Sequence, residues 1–453
     1  MIIHFIAIGG SAMHNLALAL KIVGHTISGS DDEIFEPSLS RLADNGLLPS
    51  KFGWFPEALS NDIDAVILGM HARPDNPELI QAQKLGLKIY SYPEFLYNHS
   101  KNKKRVVIGG SHGKTTITAM IMHVLRKLNY DFDYLVGSKI KDFDVMVRLS
   151  ENASIMIFEG DEYLSSPIDL RPKFHWYRPD IALLSGIAWD HINVFPTNEN
   201  YIEQFKIFIS LIKDEGSLIY FDGDKELANL LNETQQIVKI PYGEPSFEVK
   251  NGVSFIFNNN KEVKLSVFGR HNMTNLNGAR LVCKQLDISD GDFYEQISSF
   301  EGTANRLELV MKRNNVRLYK DFAHAPSKVR ATVVAVREQF VNLNFVACLE
   351  LHTFSSLNKD FIDEYFHTLD SPDYACVYFN HHTLKMKHLP ELSKKDVVNA
   401  FGRKNLKVFT DSSEMLDWLD DIKKPDTIYL MMSSGNFDGI NLVNIASNLT
   451  SIS

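Results

Sequence analysis

Short apolar runs bounded by glycine or polar turns recur along this chain, and a stretch with helical spacing follows most of them. Ile2–Ile8 is the first such run; it ends at Gly9-Gly10 and leads into a helical stretch from Ala12 to Val23. Thr26–Ser28, Ala65–Gly69 and Lys88–Ser91 read as further strands. Strands alternating with helices in this way predict parallel β-α-β units. The run Asn98–Arg105 has no apolar residue. It reads as a first linker, or as a solvated loop inside a larger domain.

The pattern restarts at Arg105, with strands at Ile155–Phe158, Ile181–Ser185 and Leu218–Phe221. Between Phe247 and Phe268, apolar and polar residues alternate around Asn251-Gly252 and Asn258-Asn259-Asn260, which predicts hairpins. A helix from about Asn272 to Leu286 closes this region. Beyond Gly302, strands at Leu307–Lys312 and Val316–Tyr319 lead to a helix after Pro326. Strands at Phe345–Leu349, Ala375–Phe379, Lys407–Phe409 and Thr427–Met432 complete a third α/β region.

Composition narrows the class. The 453 residues correspond to three domains at roughly 150 residues each. With 44% hydrophobic and 23% charged residues, the chain is ordinary globular protein. A net charge of −9 argues against a general nucleic-acid binder. Cys283, Cys348 and Cys376 form no CxxC pair, which points to a reducing compartment. No apolar run reaches the ~18 residues of a membrane helix. The opening Met1–Gly10 lacks a basic stretch and reads as a strand, not a secretion signal. A cytoplasmic enzyme with more than one substrate is the expectation.

The strongest local signal is Gly110-Ser111-His112-Gly113-Lys114-Thr115-Thr116, set between a buried strand and a helix. Glycines let backbone N–H groups converge on a phosphate, and the helix N-terminus adds its dipole. Lys114 would reach the β/γ-phosphates of ATP, and the Thr115 hydroxyl would ligate Mg²⁺. The strict loop pattern wants glycine where Ile108 stands. The alternative is a tight strand–helix turn with an exposed lysine.

This loop resembles the ATP-binding signature of the Mur ligases, and five further segments extend the resemblance along the chain. They are Glu159-Gly160-Asp161-Glu162-Tyr163, Asp190-His191, Gly269–Asn275, Phe300–Glu308 and Asp321–Pro326. The resemblance implies an α/β protein of three domains: an N-terminal Rossmann-like domain (1–98) for a UDP-sugar, a central P-loop ATPase-like parallel sheet (99–301), and a C-terminal Rossmann-like domain (302–453) for the amine. It implies an ATP- and Mg²⁺-dependent ligase that phosphorylates a carboxylate and passes the acyl group to an amine. The partners implied are small molecules, without nucleic acid or membrane.

Residue by residue, the resemblance places Lys114, Glu159, His191 and Arg306 in the chemistry. Glu159 and His191 would hold a second metal, and Arg306 would approach the γ-phosphate. Taken alone, Glu159 reads equally as a helix cap, His191 as a surface residue and Arg306 as a partner of Glu308. Asp321 would bind the ribose or orient water on the metal, and His324 would lie close to the nucleotide. Asn272 and Asn275 would contact adenine, or else cap a helix. Gly9-Gly10-Ser11 follows a strand but lacks the full GxGxxG of dinucleotide oxidoreductases. The resemblance gives it the UDP diphosphate, with Ser30 or Asp31 near the uridine. His71 and Arg73 are nucleotide contacts or part of a plain polar loop.

Two branches of the family share this N-terminal pattern. One joins UDP-N-acetylmuramate to L-alanine, the other to a recycled L-alanyl-γ-D-glutamyl-meso-diaminopimelate. Arg171–Asp180 and Met432–Gly439 resemble the second, whereas Glu350–Ser356 departs from both. A nucleotide-binding regulator without chemistry is the alternative of another class.

Overall fold

A computed structural model describes residues 1–189, 194–232, 237–259 and 261–451. The chain divides into two compact units, 1–245 with 274–297, and 246–273 with 298–453. Among the described residues no helix is long and apolar enough to cross a membrane.

The first unit holds two parallel sheets. Strands β1 (Ile2–Ile6), β2 (Thr26–Ser30), β3 (Ala65–Leu68) and β4 (Ile89–Ser91) line up in the order β2-β1-β3-β4. The helix Ser11–Ile22 returns from β1 and buries Met13 through Leu20. The larger sheet is built from β5 (Lys104–Gly109), β6 (Phe132–Leu135), β7 (Val147–Arg148) and β8 (Ile155–Glu159). After the antiparallel ribbon of β9 (Leu164–Ser166) and β10 (Asp169–Pro172), it continues with β11 (Ile181–Leu184), β12 (Ser217–Phe221) and β13 (Val238–Tyr242). Its order is β13-β12-β11-β5-β8-β6-β7, parallel except for β7. The continuous apolar runs of β5, β8 and β11 are explained by burial on both faces. Phe158 stacks on Tyr177 at 3.9 Å, and Phe174 on Phe208 at 4.6 Å. Each such ring buried contributes roughly 1.5–3 kcal/mol.

The run Asn98–Arg105 is not a solvated segment. The helix Tyr92–His99 extends into it, and Ser100, Lys103 and Arg105 are buried. Lys103 Nζ pairs with Asp133 at 2.5 Å. The Arg105 guanidinium donates to the carbonyls of Ser100, Lys101, Tyr177 and Arg178. Their charges read as surface in the sequence because Asp133, Tyr177 and Arg178, which help to satisfy them, lie far along the chain.

In the second unit, β14 (Phe247–Lys250), β15 (Val253–Asn258) and β16 (Lys261–Leu265) form the antiparallel sheet expected from the hairpin pattern. Ser254 Oγ donates to Gln339 Oε1 at 3.0 Å, tying this sheet to the helix Pro326–Gln339. The main sheet contains β17 (Glu308–Arg313), β18 (Val316–Asp321), β19 (Asn344–Glu350), β20 (Tyr374–Tyr378), β21 (Lys407–Phe409) and β22 (Thr427–Met432). Its order is β17-β18-β22-β19-β20-β21, with only β17 antiparallel. The expected mixed α/β class, with Rossmann-like and P-loop-like parallel sheets, is the class observed.

Candidate functional site

The phosphate loop leaves the C-terminal end of β5 between β8 and β11, so strand ends on both sides face it. Ligands of open α/β sheets bind at such ends. Gly110 takes φ +114°, and a Cβ there would lie 2.6 Å from Ser185 Oγ and 2.7 Å from Ser185 N. Gly113 takes φ +79° and precedes the helix Lys114–Lys127, and a Cβ there would collide with Asn275 Oδ1. Both positions therefore require glycine. Ser111 N donates to Gly186 O at 2.9 Å and Ser111 Oγ to Ala188 O at 2.7 Å. Asp224 Oδ2 fixes the opposing turn through Ile187 N at 2.7 Å. His112 presents its carbonyl to Ser185 Oγ. Thr116 is buried in the first turn of that helix.

Lys114 Nζ donates to Gly110 O at 2.6 Å and pairs with Glu162 at 2.8 Å. Glu162 is buried and also accepts from Tyr201 Oη at 3.2 Å. Burial disfavours the Lys114 charge, but Glu162, then Asp161 and Glu159, outweigh it and hold the ammonium above its ordinary pKa. Lys114 is thus a fixed cation at the loop. Within Glu159–Tyr163 the sequence singled out only Glu159, and Glu162 is the lysine's direct partner. Asp161 Oδ2 instead pairs with Lys173 at 2.5 Å.

Thr115 Oγ1 donates to Glu159 Oε1 at 2.6 Å, and Gly137 N donates to Glu159 Oε2 at 2.9 Å. A hydroxyl and a carboxylate oxygen meeting beside a phosphate loop suit a hard cation such as Mg²⁺. His191, with Asp190, lies outside the described residues. Among the described residues, no group of three His, Cys, Asp or Glu side chains converges as a metal site.

The N-terminal turn is built around Asp31, which is buried beside it. Gly9 N donates to Asp31 Oδ2 at 2.7 Å. Burial, opposed by that bond, raises the Asp31 pKa to about 6. Gly10 precedes the helix that begins at Ser11, and Gly10 O faces His14 Nδ1 at 2.9 Å. His14 Nε2 faces two donors, Asn15 Nδ2 and Arg41 Nη1, so it is the ring's acceptor and Nδ1 carries the proton. Nothing in the local sequence marks His14. Ser30 Oγ is engaged by the buried Glu78 carboxylate, so it is held inward at the strand end. His71 and Arg73 are exposed on the loop after β3.

In the second unit, Asn272 Nδ2 donates to Phe268 O at 2.8 Å, a bond within the start of its own helix. Asn275, in the first unit, approaches the phosphate loop through Gly113 as described. The Arg306 guanidinium lies 5.4 Å from the Phe322 ring centroid. Glu308 pairs with Lys320, and among the described residues no ion pair joins it to Arg306. Burial, then the Arg306 charge, lowers the His271 pKa to about 4. Asp321 accepts from Leu307 N at 2.7 Å and Ala323 N at 2.6 Å, which organises the turn carrying Arg306. His324 Nδ1 bonds Phe322 O at 2.8 Å.

Comparison with known proteins matches residues 2–104 to the catalytic domain of the Mur ligase family and residues 108–283 to the Mur ligase middle domain. UDP-N-acetylmuramate–L-alanine ligase of Caldicellulosiruptor bescii is 31% identical over 387 residues, covering 82% of each chain. Two crystal structures share the fold over nearly the whole length. The UDP-N-acetylmuramate–alanine ligase of Thermotoga maritima has a TM-score of 0.70 at 20% identity, covering 97% of both chains. The murein peptide ligase of Psychrobacter arcticus has a TM-score of 0.62 at 22% identity, covering 100% of this chain and 99% of that one. The strand-bound phosphate loop, its fixed lysine and these matches lead to one conclusion: this chain belongs to the Mur ligase family, whose members are ATP-dependent ligases that form amide bonds.

Proposed function

We propose that this enzyme joins the lactyl carboxylate of UDP-N-acetylmuramate to the amine of a recycled murein peptide, L-alanyl-γ-D-glutamyl-meso-diaminopimelate. A lactyl oxygen attacks the γ-phosphorus of ATP, and the bond to ADP breaks. The peptide amine then attacks the acyl carbon, loses a proton and expels phosphate. Lys114 offsets the charge that accumulates when one anion attacks another. Thr115 is assigned to Mg²⁺, and Glu159 with His191 to a second metal. When bound, the metal neutralises phosphate charge. Gly110–Thr116, Asn272, Asn275, Arg306, Asp321 and His324 are assigned to ATP. Gly9, Gly10, Ser11, Ser30, Asp31, His71 and Arg73 are assigned to the UDP-sugar.

One observation supports the peptide as the amine. Glu350, at the end of β19, is buried and accepts from Phe437 N at 2.8 Å and from Ser433 Oγ. The segment that departs from both branches is therefore built into the Met432–Gly439 turn that resembles the recycling branch. Beside it, His352 Nδ1 lies 3.6 Å from Glu350. The 31% identity to an L-alanine ligase favours the second reading, L-alanine itself. Phosphate release and amide product should be measured with ATP, UDP-N-acetylmuramate and either amine. The peptide is expected to win by about 10²-fold or more in kcat/KM. Preference for L-alanine would establish the second reading, and turnover of neither would favour a regulator.

A further inference from the structure

Glu78 is a buried charge with no part in the chemistry proposed above. It sits in the first turn of the helix Pro77–Lys84, where its backbone N donates to the capping Asn76 Oδ1 at 2.9 Å. Its side chain is 0% exposed. Burial works against its charge, but the bonds from His4, Ser30 and Phe55 outweigh it and hold the carboxyl below its ordinary pKa.

Three donors from three segments of the first unit converge on this carboxylate. His4 Nε2, on β1, lies 3.2 Å from it, and Phe55 N donates to it at 2.6 Å. Ser30 Oγ, at the end of β2, is the third. A carboxylate only accepts, so His4 donates through Nε2 and its Nδ1 accepts from Ser28 Oγ at 2.9 Å.

A well-packed apolar side chain would ordinarily serve a core as well as a buried ion does. What the carboxylate adds here is fixed geometry on two sides of Asp31. On one side it holds the Ser30 hydroxyl, one residue before Asp31. On the other it holds the Phe55 backbone, two residues after Gly53, whose N donates to Asp31 O at 2.8 Å. Asp31 in turn accepts from Gly9 N at 2.7 Å. The end of β2, the segment before Phe55 and the Gly9 turn are thereby tied into one frame, on which the Phe52 ring stands 52% exposed.

We propose that Glu78 is a positioning residue for the nucleotide half of the UDP-sugar. It holds the Ser30–Asp31 strand end and the Phe52–Phe55 segment in the arrangement that receives the uridine, and it touches no substrate itself. This rests on the assignment of Gly9, Gly10, Ser11, Ser30 and Asp31 to the UDP-sugar.

The test is calorimetric titration of the full chain with UDP and, separately, with the ATP analogue adenylyl imidodiphosphate. The parent is expected to bind both. Glu78→Gln keeps the side-chain shape and should weaken UDP about tenfold, with binding of the analogue unchanged. His4→Asn removes one of the three donors and should weaken UDP about threefold, which keeps the test valid if Glu78→Gln fails to fold. In the double variant the loss should be no larger than in Glu78→Gln alone, because His4 acts only through the carboxylate. Unchanged UDP binding in either folded variant, equal losses for UDP and the analogue, or losses that multiply in the double variant would each overturn the proposal and leave the UDP-sugar assignment standing. A parent that binds the analogue and not UDP would overturn that assignment and the proposal with it.

Discussion

Thr115 Oγ1 donates to Glu159 Oε1 across 2.6 Å, so the residue after the loop lysine meets the end of the neighbouring strand β8. Both residues are assigned to metal, Thr115 to Mg²⁺ and Glu159 to the second ion. Thr115→Ala is expected to raise the Mg²⁺ concentration for half-maximal phosphate release by about 10–100-fold. Glu159→Gln should do the same, because the amide keeps its shape and loses its charge. An unchanged Mg²⁺ dependence in both variants would remove the pair from the metal site.

Lys114 and Glu162 make a separable prediction. Glu162 is 1% exposed, so Lys114→Ala leaves a buried carboxylate without its cation. Destabilisation of about 3–5 kcal/mol is expected in urea unfolding. Adding Glu162→Gln should recover most of that stability. It should not recover ligation, which depends on the cation and should remain about 10²–10³-fold down. Recovery of turnover in the double variant would mean that Lys114 serves only to hold Glu162.

Arg105 tests the buried polar strap. Its guanidinium satisfies four carbonyls, and burial lowers its pKa despite the nearby Asp180 charge. Arg105→Ala should cost about 3–5 kcal/mol. Arg105→Lys should recover less than half of that, because one ammonium cannot span the carbonyls a planar fork reaches. Full recovery by lysine, measured by thermal melting, would show that charge alone matters there.

Two groups give opposing pH dependences. Asp31 is raised to about 6 from an ordinary 3.8, so the folded chain holds its proton more tightly than the unfolded one. Its stabilisation is present below pH 3.8 and is lost as pH rises through 6. His271 is lowered to about 4 from 6.5, so its contribution is present above 6.5 and is lost as pH falls through 4. Each is of order 1–3 kcal/mol. Asp31→Asn should remove the loss on the alkaline side and His271→Gln the loss on the acid side, in urea unfolding from pH 4 to 7. Parallel curves for both variants and the parent would show that neither group is perturbed.

Local order was legible in the sequence. Glycine punctuation and apolar runs gave β1, β3, β5, β8 and β11 to within a residue or two, because strands buried on both faces must be continuously apolar. Asn-Gly and Asn-rich turns placed the β14–β16 hairpins, since those turns need residues that tolerate positive φ. The Gly110–Thr116 loop was legible because phosphate binding needs contiguous backbone. Partnerships were not legible. Glu162 against Lys114, Arg105 against carbonyls more than 70 residues on, and Asp321 held by Leu307 are set by which strand ends become neighbours, and His14 against Arg41 by how two helices pack. Residue type reports that a group is charged or can donate. Only the order of strands in the sheet decides what stands opposite it, and so whether a carboxylate faces water, a lysine or a metal.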